Sequence, residues 1–193
     1  MSNEGRAMLL LALLLAGCAA DVQTPPSSAA QLDTAVRSLE AGQVVDGVPC
    51  LTEERPQHHI HVHLQIMRDG IGVPVPAGIG VGRPWGVDST GFITTGGCFA
   101  WIHVHDMTGV VHVFTPEEKS FTLGQLFELW GQPLVAGSAL GYDGPLAVLV
   151  NGQRIDGDPR EVALTNLENI VLELGLPPSD PPRALYEFGA PRL

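Results

Sequence analysis

All seven histidines of the chain lie between positions 58 and 112, and their spacing is what gives them a chemistry. In His58-His59-Ile60-His61-Val62-His63-Leu64-Gln65-Ile66 an imidazole recurs at every second residue from His59 to His63. The run Trp101-Ile102-His103-Val104-His105-Asp106 repeats the device, and His112 follows. Imidazole binds as the neutral base and suits Zn, Cu, Ni and Fe. His59, His61, His63, His103, His105 and His112 are therefore candidate metal ligands. They exceed the tetrahedral set of one ion, so either two ions bind or some of these rings support the others. Asp106 has three readings: a carboxylate ligand, a group orienting a histidine through its second nitrogen, or a turn residue accepting a backbone N–H. A pH-sensing cluster is a further use of the same rings.

Extended chain is what could gather these residues, because side chains of a strand alternate between its two faces. Ile60, Val62, Leu64 and Ile66 then share a core face, and His59, His61 and His63 share the other. Arg68-Asp69-Gly70-Ile71 places Asp-Gly between apolar-alternating runs, the signal of a type I′ hairpin. That register opposes Arg68 with Ile71, Ile66 with Val73 and Leu64 with Val75. A loop at Asp106-Met107-Thr108-Gly109 likewise opposes His103 with His112 and Trp101 with Phe114. His105 is then two residues along on the same face, and Ile102, Val104, Val111 and Val113 lie beneath; a slip of one residue would break the cluster.

The remaining chain supplies the frame. Residues 76–97 are dense in Gly and Pro and read as a long functional crossing loop. Thr122 to Trp130 reads as a helix, capped by Thr122 with Gln125 as its reciprocal partner and stopped by Gly131 and Pro133. Leu123, Leu126, Phe127 and Trp130 form its apolar stripe. Leu146 to Val150, Asn151-Gly152 and Gln153 to Ile155 form a hairpin, and Ile170 to Leu174 a final strand. Hairpin, hairpin, helix, hairpin and strand make an α+β fold, a predominantly antiparallel or mixed β-sheet with one helix. The expected architecture is β-grasp-like with an added histidine hairpin, the alternative being a β-sandwich.

Residues 1–17 read as a signal peptide, with Arg6 before a short apolar run that is too brief to span a bilayer. Leu15-Ala16-Gly17-Cys18 resembles a bacterial lipobox, which implies cleavage before Cys18 and its lipidation, and hence stable membrane anchoring. Ala19 rather than Asp after that cysteine points to the outer membrane, facing the periplasm, in a Gram-negative source. Residues 18–45 form a tether with room for a helical turn over 31–40, residues 46–176 one histidine-rich domain, and 177–193 a Pro-rich tail. In an oxidising compartment the remaining pair, Cys50 and Cys98, is most simply a disulfide. Thiolate ligation is the alternative, without a CxxC to favour it. The net charge of −11 excludes the basic surface that nucleic acid requires.

From His58 to Val171 the chain resembles a family of uncharacterised bacterial exported or membrane-tethered proteins. The resemblance rests on His59-x-His61-x-His63, Val75-Pro76-Ala77-Gly78-Ile79-Gly80, Trp101-Ile102-His103-Val104-His105-Asp106 and Gly109-Val110-Val111-His112. It continues through Thr122-Leu123-Gly124, Trp130-Gly131-Gln132-Pro133-Leu134 and Val150-Asn151-Gly152. Where that family usually has Leu-His-Thr-His-Asp, this chain has Ile102-His103-Val104-His105-Asp106, a change on the inward face. The resemblance implies export or tethering and brings no established activity.

Two function classes follow. The first is an envelope protein that sequesters a transition metal or hands it to a partner. All-nitrogen ligands in an exported protein fit Cu(II) or Zn(II) best, with Fe(II) behind. The second is a metalloenzyme of hydrolase or oxidase/oxygenase type, with three histidines and an open coordination position. The chain has no HExxH, and Glu53 and Glu54 read as solvated rather than as a general base, so binding ranks first.

Overall fold

The computed structural model describes residues 34–53, 57–176 and 185–189. The signal segment, Cys18, Glu54 and most of the tail lie outside the described residues. The elements that position the histidines are β1 (Val48–Leu51), β2 (His58–Arg68), β3 (Ile71–Val73), β4 (Cys98–Ala100), β5 (Ile102–Val104) and β6 (Val110–Thr115). After them come the helix α1 (Leu123–Trp130), then β7 (Leu146–Val150), β8 (Gln153–Ile155) and β9 (Asn169–Leu174).

The fold is α+β, with a seven-stranded mixed sheet in the order β8-β7-β9-β2-β6-β5, β3 pairing with β2. β9 runs parallel to β2, from Asn169 opposite His63 to Leu174 opposite Arg68. β7 is antiparallel to β9, and β8 to β7. A first hairpin, a helix, a second hairpin and a closing strand parallel to the first make the β-grasp order expected from the sequence, and β5–β6 is the added hairpin. Asp69 (φ 49°) and Gly70 (φ 79°) both take positive φ, as do Asn151 and Gly152, which is the backbone of type I′ turns.

One edge of β2 serves two partners. Its first half, His58 to His63, pairs with β6, and its last three residues pair with β3. Between them the Leu64 N–H donates to the Gly109 carbonyl. The ladder with β3 stops at Val73, so Leu64 does not pair with Val75 as its alternation implied. Pro74 and Pro76 flank that position and have no N–H to donate.

Beneath the sheet, Val62, Leu64, Ile66, Ile102, Val104, Val111 and Val113 are buried in one core with the apolar stripe of α1. α1 starts with the expected capping box of Thr122 and Gln125 and ends on Gly131 in the left-handed conformation. Chain expected to be tether is drawn onto this helix. The Arg37 N–H donates to the Trp130 carbonyl, Trp130 Nε1–H to the Thr34 carbonyl, and Gln132 to the Ala35 carbonyl. Leu39 is buried, and residues 34–40 are not helical. They are held by hydrogen bonds to the helix end rather than by bonds among themselves.

A smaller four-stranded sheet joins Val44–Val45, β1, β4 and Val81–Gly82. Within it Cys50 and Cys98 form a disulfide between the neighbouring strands β1 and β4. The cysteines are thus absent from any ligand set. The bridge closes a loop with a sequence separation of 48, which constrains the unfolded chain. Replacing both cysteines by serine is expected to lower the unfolding free energy by about 4 kcal/mol on chain-entropy grounds. Urea denaturation of the domain measures it, and a loss below about 1 kcal/mol would contradict the expectation.

Candidate metal centre

The registers bring scattered histidines into one row. His112 of β6 lies opposite His61 of β2 and, on its other side, opposite His103 of β5. His59 and His105 flank this row at the next same-face positions. The rings are in mutual contact: centroids are 4.2 Å apart for His59 and His61, 4.6 Å for His61 and His112, and 4.7 Å for His105 and His112.

Within the row two arrangements are distinct. In His59, His61 and His112, one potential ligand atom per ring lies within 4.8 Å of the others. Each of these rings also holds a buried nitrogen with no hydrogen-bond partner: His59 Nε2, His61 Nε2 and His112 Nδ1. An unpaired buried polar atom costs about 1–3 kcal/mol, so three in contact are a concentrated expense. Where these nitrogens are the unprotonated ones of their rings, a single metal ion satisfies all three.

His103 and His105 are tied down differently. Nδ1–H of His103 donates to the Ala100 carbonyl at 2.7 Å, and Nδ1–H of His105 to the Ile93 carbonyl at 2.5 Å. Because a carbonyl can only accept, each Nδ1 carries the proton and fixes the tautomer. The two Nε2 atoms face each other at 2.9 Å.

His63 does not join the row, although its place in the HxHxH alternation put it among the candidate ligands. Its Nε2–H donates to the Thr108 carbonyl at 3.0 Å, and its ring stacks on Tyr186 with centroids 4.3 Å apart. Tyr186 is itself pinned, its N–H donating to Asn169 Oδ1 at 2.7 Å. Asp106 takes the turn role: its Oδ1 accepts from the Thr108 N–H and hydroxyl. It acts on His105 only through its charge, which favours the protonated ring.

Aromatic side chains and the crossing of residues 76–97 close the site, and the contacts of Phe92, Phe99 and Tyr186 are the ones the sequence did not indicate. Phe92 stacks on His105 (centroids 4.3 Å), Phe99 packs beside His103 and His105, and Phe114 meets the His59 ring edge-on at 3.9 Å. Phe114 was readable, since it shares the face of His112 by the period of two. Phe92 and Tyr186 had no local signal, because they sit in a loop and a tail that only the tertiary fold brings in. The 76–80 loop seals the outer edge of β5: Gly78 N–H donates to the Val104 carbonyl, and Val104 N–H to the Ile79 carbonyl. Gly80, at φ 74°, makes this approach possible, since a Cβ there would collide with the Ile102 carbonyl oxygen.

Comparison with protein-family models, curated proteins and solved structures finds no match to this chain. The site's chemistry therefore rests on its own geometry.

Burial dominates that chemistry. It holds the His59 ring down to about 4, with His61 and His105 adding repulsion, and the His103 ring down to about 3, with His105 next. Burial, then His103 and His105, push His112 down as well. Burial also lowers His61, and lowers His105 against the opposing pull of the Ile93 carbonyl and Asp106. At neutral pH all five rings are neutral, the state that binds metal.

Outside the row, His61 and His112 form part of the wall of a cleft of about 440 Å³, together with Phe92, Asp106, Leu167 and Tyr186. Glu53 lies instead on a separate cavity of about 410 Å³ beside Phe99 and Trp101.

These shifts fix the sign of a pH dependence. Each ring has a folded pKa below its unfolded value of about 6.5, so the unfolded chain takes up protons first as pH falls. Stability contributed by these rings is complete above about 6.5 and is lost progressively towards pH 4. Urea unfolding of the metal-free domain is expected to be flat from pH 8 to 7 and to weaken steadily from 6.5 to 5, above the carboxylate range. His103→Gln is expected to reduce that slope. A flat profile from 7 to 5 would contradict the buried neutral state.

Proposed function

We propose that this protein binds a transition metal ion, Cu(II) or Zn(II), through His59, His61 and His112, as a lipid-anchored cell-envelope protein that sequesters the metal or delivers it to a partner. The observation that supports it is the coincidence of the metal-compatible trio with three of the buried, partnerless ring nitrogens. Neutral rings favour capture, since no proton has to be displaced before the metal binds. The envelope location is supported by the lipobox-like Leu15-Ala16-Gly17-Cys18 and by a disulfide that needs an oxidising compartment. Among the described residues no helix is long and apolar enough to cross a membrane.

A second reading, a metal-dependent enzyme of hydrolase or oxidase type, is favoured by the cleft. Three histidines leave a coordination position open on a zinc-type ion, and two of these three rings line a space large enough for a small substrate. The described residues lining that cleft include one carboxylate, Asp106, whose Oδ1 is engaged by Thr108. A general base is therefore less well provided than a ligand set, and binding remains the first reading.

Protein produced without a His-tag, stripped by chelation and titrated with Zn(II) or Cu(II), tests the reading. His61→Ala and His112→Ala are expected to weaken binding by more than about 100-fold, beyond the cost of losing a supporting group. His63→Ala is expected to leave affinity within a few-fold, despite its place in the HxHxH run. Equal losses from all three variants, or no binding by the wild type, would overturn the assignment.

A further inference from the structure

A second feature of the row calls for a cation. His103 and His105 are buried, and each spends its only ring proton on a carbonyl, of Ala100 and Ile93 respectively. Their Nε2 atoms consequently meet as lone pair against lone pair at 2.9 Å. Two acceptors at that distance repel unless positive charge lies between or beside them. A carbonyl acceptor on the far nitrogen is also the arrangement that orients metal-bound histidines and raises their basicity.

We propose that His103 Nε2 and His105 Nε2 chelate a second metal ion, adjacent to the ion of the trio and distinct from it. At metal–imidazole bonds of about 2.0–2.1 Å, the 2.9 Å separation corresponds to an N–metal–N angle of about 90°. That angle suits a tetragonal ion such as Cu(II) better than tetrahedral Zn(II). Both rings are held before any ion arrives: Phe92 is stacked flat on His105, and Phe99 packs against both. His112 stands between the two positions, its ring centroid 4.7 Å from that of His105 and 4.6 Å from that of His61. Its place explains how one hairpin can serve two ions. The inference shares with the metal-binding reading the premise that these rings act as ligands, but it concerns a different pair of nitrogens.

The test is stoichiometry with Cu(II) alone on tag-free, chelator-stripped protein. Wild type is expected to take up two equivalents. The double variant His103→Gln/His105→Gln and the single variant His61→Ala are each expected to retain one equivalent, and to lose different ones. One equivalent in the wild type that survives loss of the pair but not loss of His61 overturns the second site and leaves the trio standing. One equivalent abolished by either change means a single shared ion, which also overturns it. No binding at all overturns both readings. Should the double variant fail to fold, a crystal structure of the wild type at two equivalents decides. Anomalous scattering must show a peak within about 2.1 Å of both Nε2 atoms, and a vacant position there overturns the proposal.

Discussion

The structure turns on keeping unprotonated imidazoles out of water on the face of a sheet opposite the apolar core. His61, His112 and His103 lie directly across from one another on three neighbouring strands, and none of these rings has solvent to compensate it fully. Burial normally selects against such a set, because a buried base loses hydration whether or not it is charged. Here the cost is incurred repeatedly within a few ångströms. The other described buried polar atoms without a partner, Arg68 Nη1 and Glu173 Oε1, carry no comparable concentration of like groups. The partnerless nitrogens of His59, His61 and His112 make a cluster capable of holding a metal ion.

Other parts of the fold can be understood as support for this row. The β-grasp core fixes β2 between a parallel partner and an edge shared by β6 and β3, so its alternation cannot slip without exposing Val62, Leu64 and Ile66. The glycine-rich crossing covers the outer edge of β5 and brings the Ile93 carbonyl to His105. The disulfide joins β1 to β4, the strand that leads directly into β5. Residues 76–97, expected as one long loop, include the short strands Val81–Gly82, Gly86–Val87 and Ile93–Thr95, and the last of these holds the His105 ring.

How much of this was legible in the sequence depends on the range of the forces involved. Local rules sufficed for the Asp69-Gly70 and Asn151-Gly152 turns, the Thr122 cap and the faces of β2 and β6, because each depends on residues a few positions apart. The pairing of His103 with His112 was also readable, since loop length and alternation together fix a hairpin register. The fate of His63 was not. By alternation it equals His59 and His61, yet Tyr186 and the Thr108 carbonyl occupy it from segments far away in the chain. Asp106 was balanced between ligand and turn residue until Thr108 supplied both donors. The hydrogen bonds of Thr34, Ala35 and Arg37 to the end of α1 were unreadable for a similar reason, since polar, low-periodicity chain carries no sign that its backbone will dock there.

The central claim concerns particular nitrogen atoms, so the most direct measurement observes them. Long-range ¹⁵N NMR of the histidine rings, with and without one equivalent of Zn(II), distinguishes a free lone pair from a metal-bound one. The account predicts that His59 Nε2, His61 Nε2 and His112 Nδ1 move to metal-bound shifts while the His63 ring is unchanged. Unmoved resonances at those three atoms, or movement at His63 in their place, would contradict it.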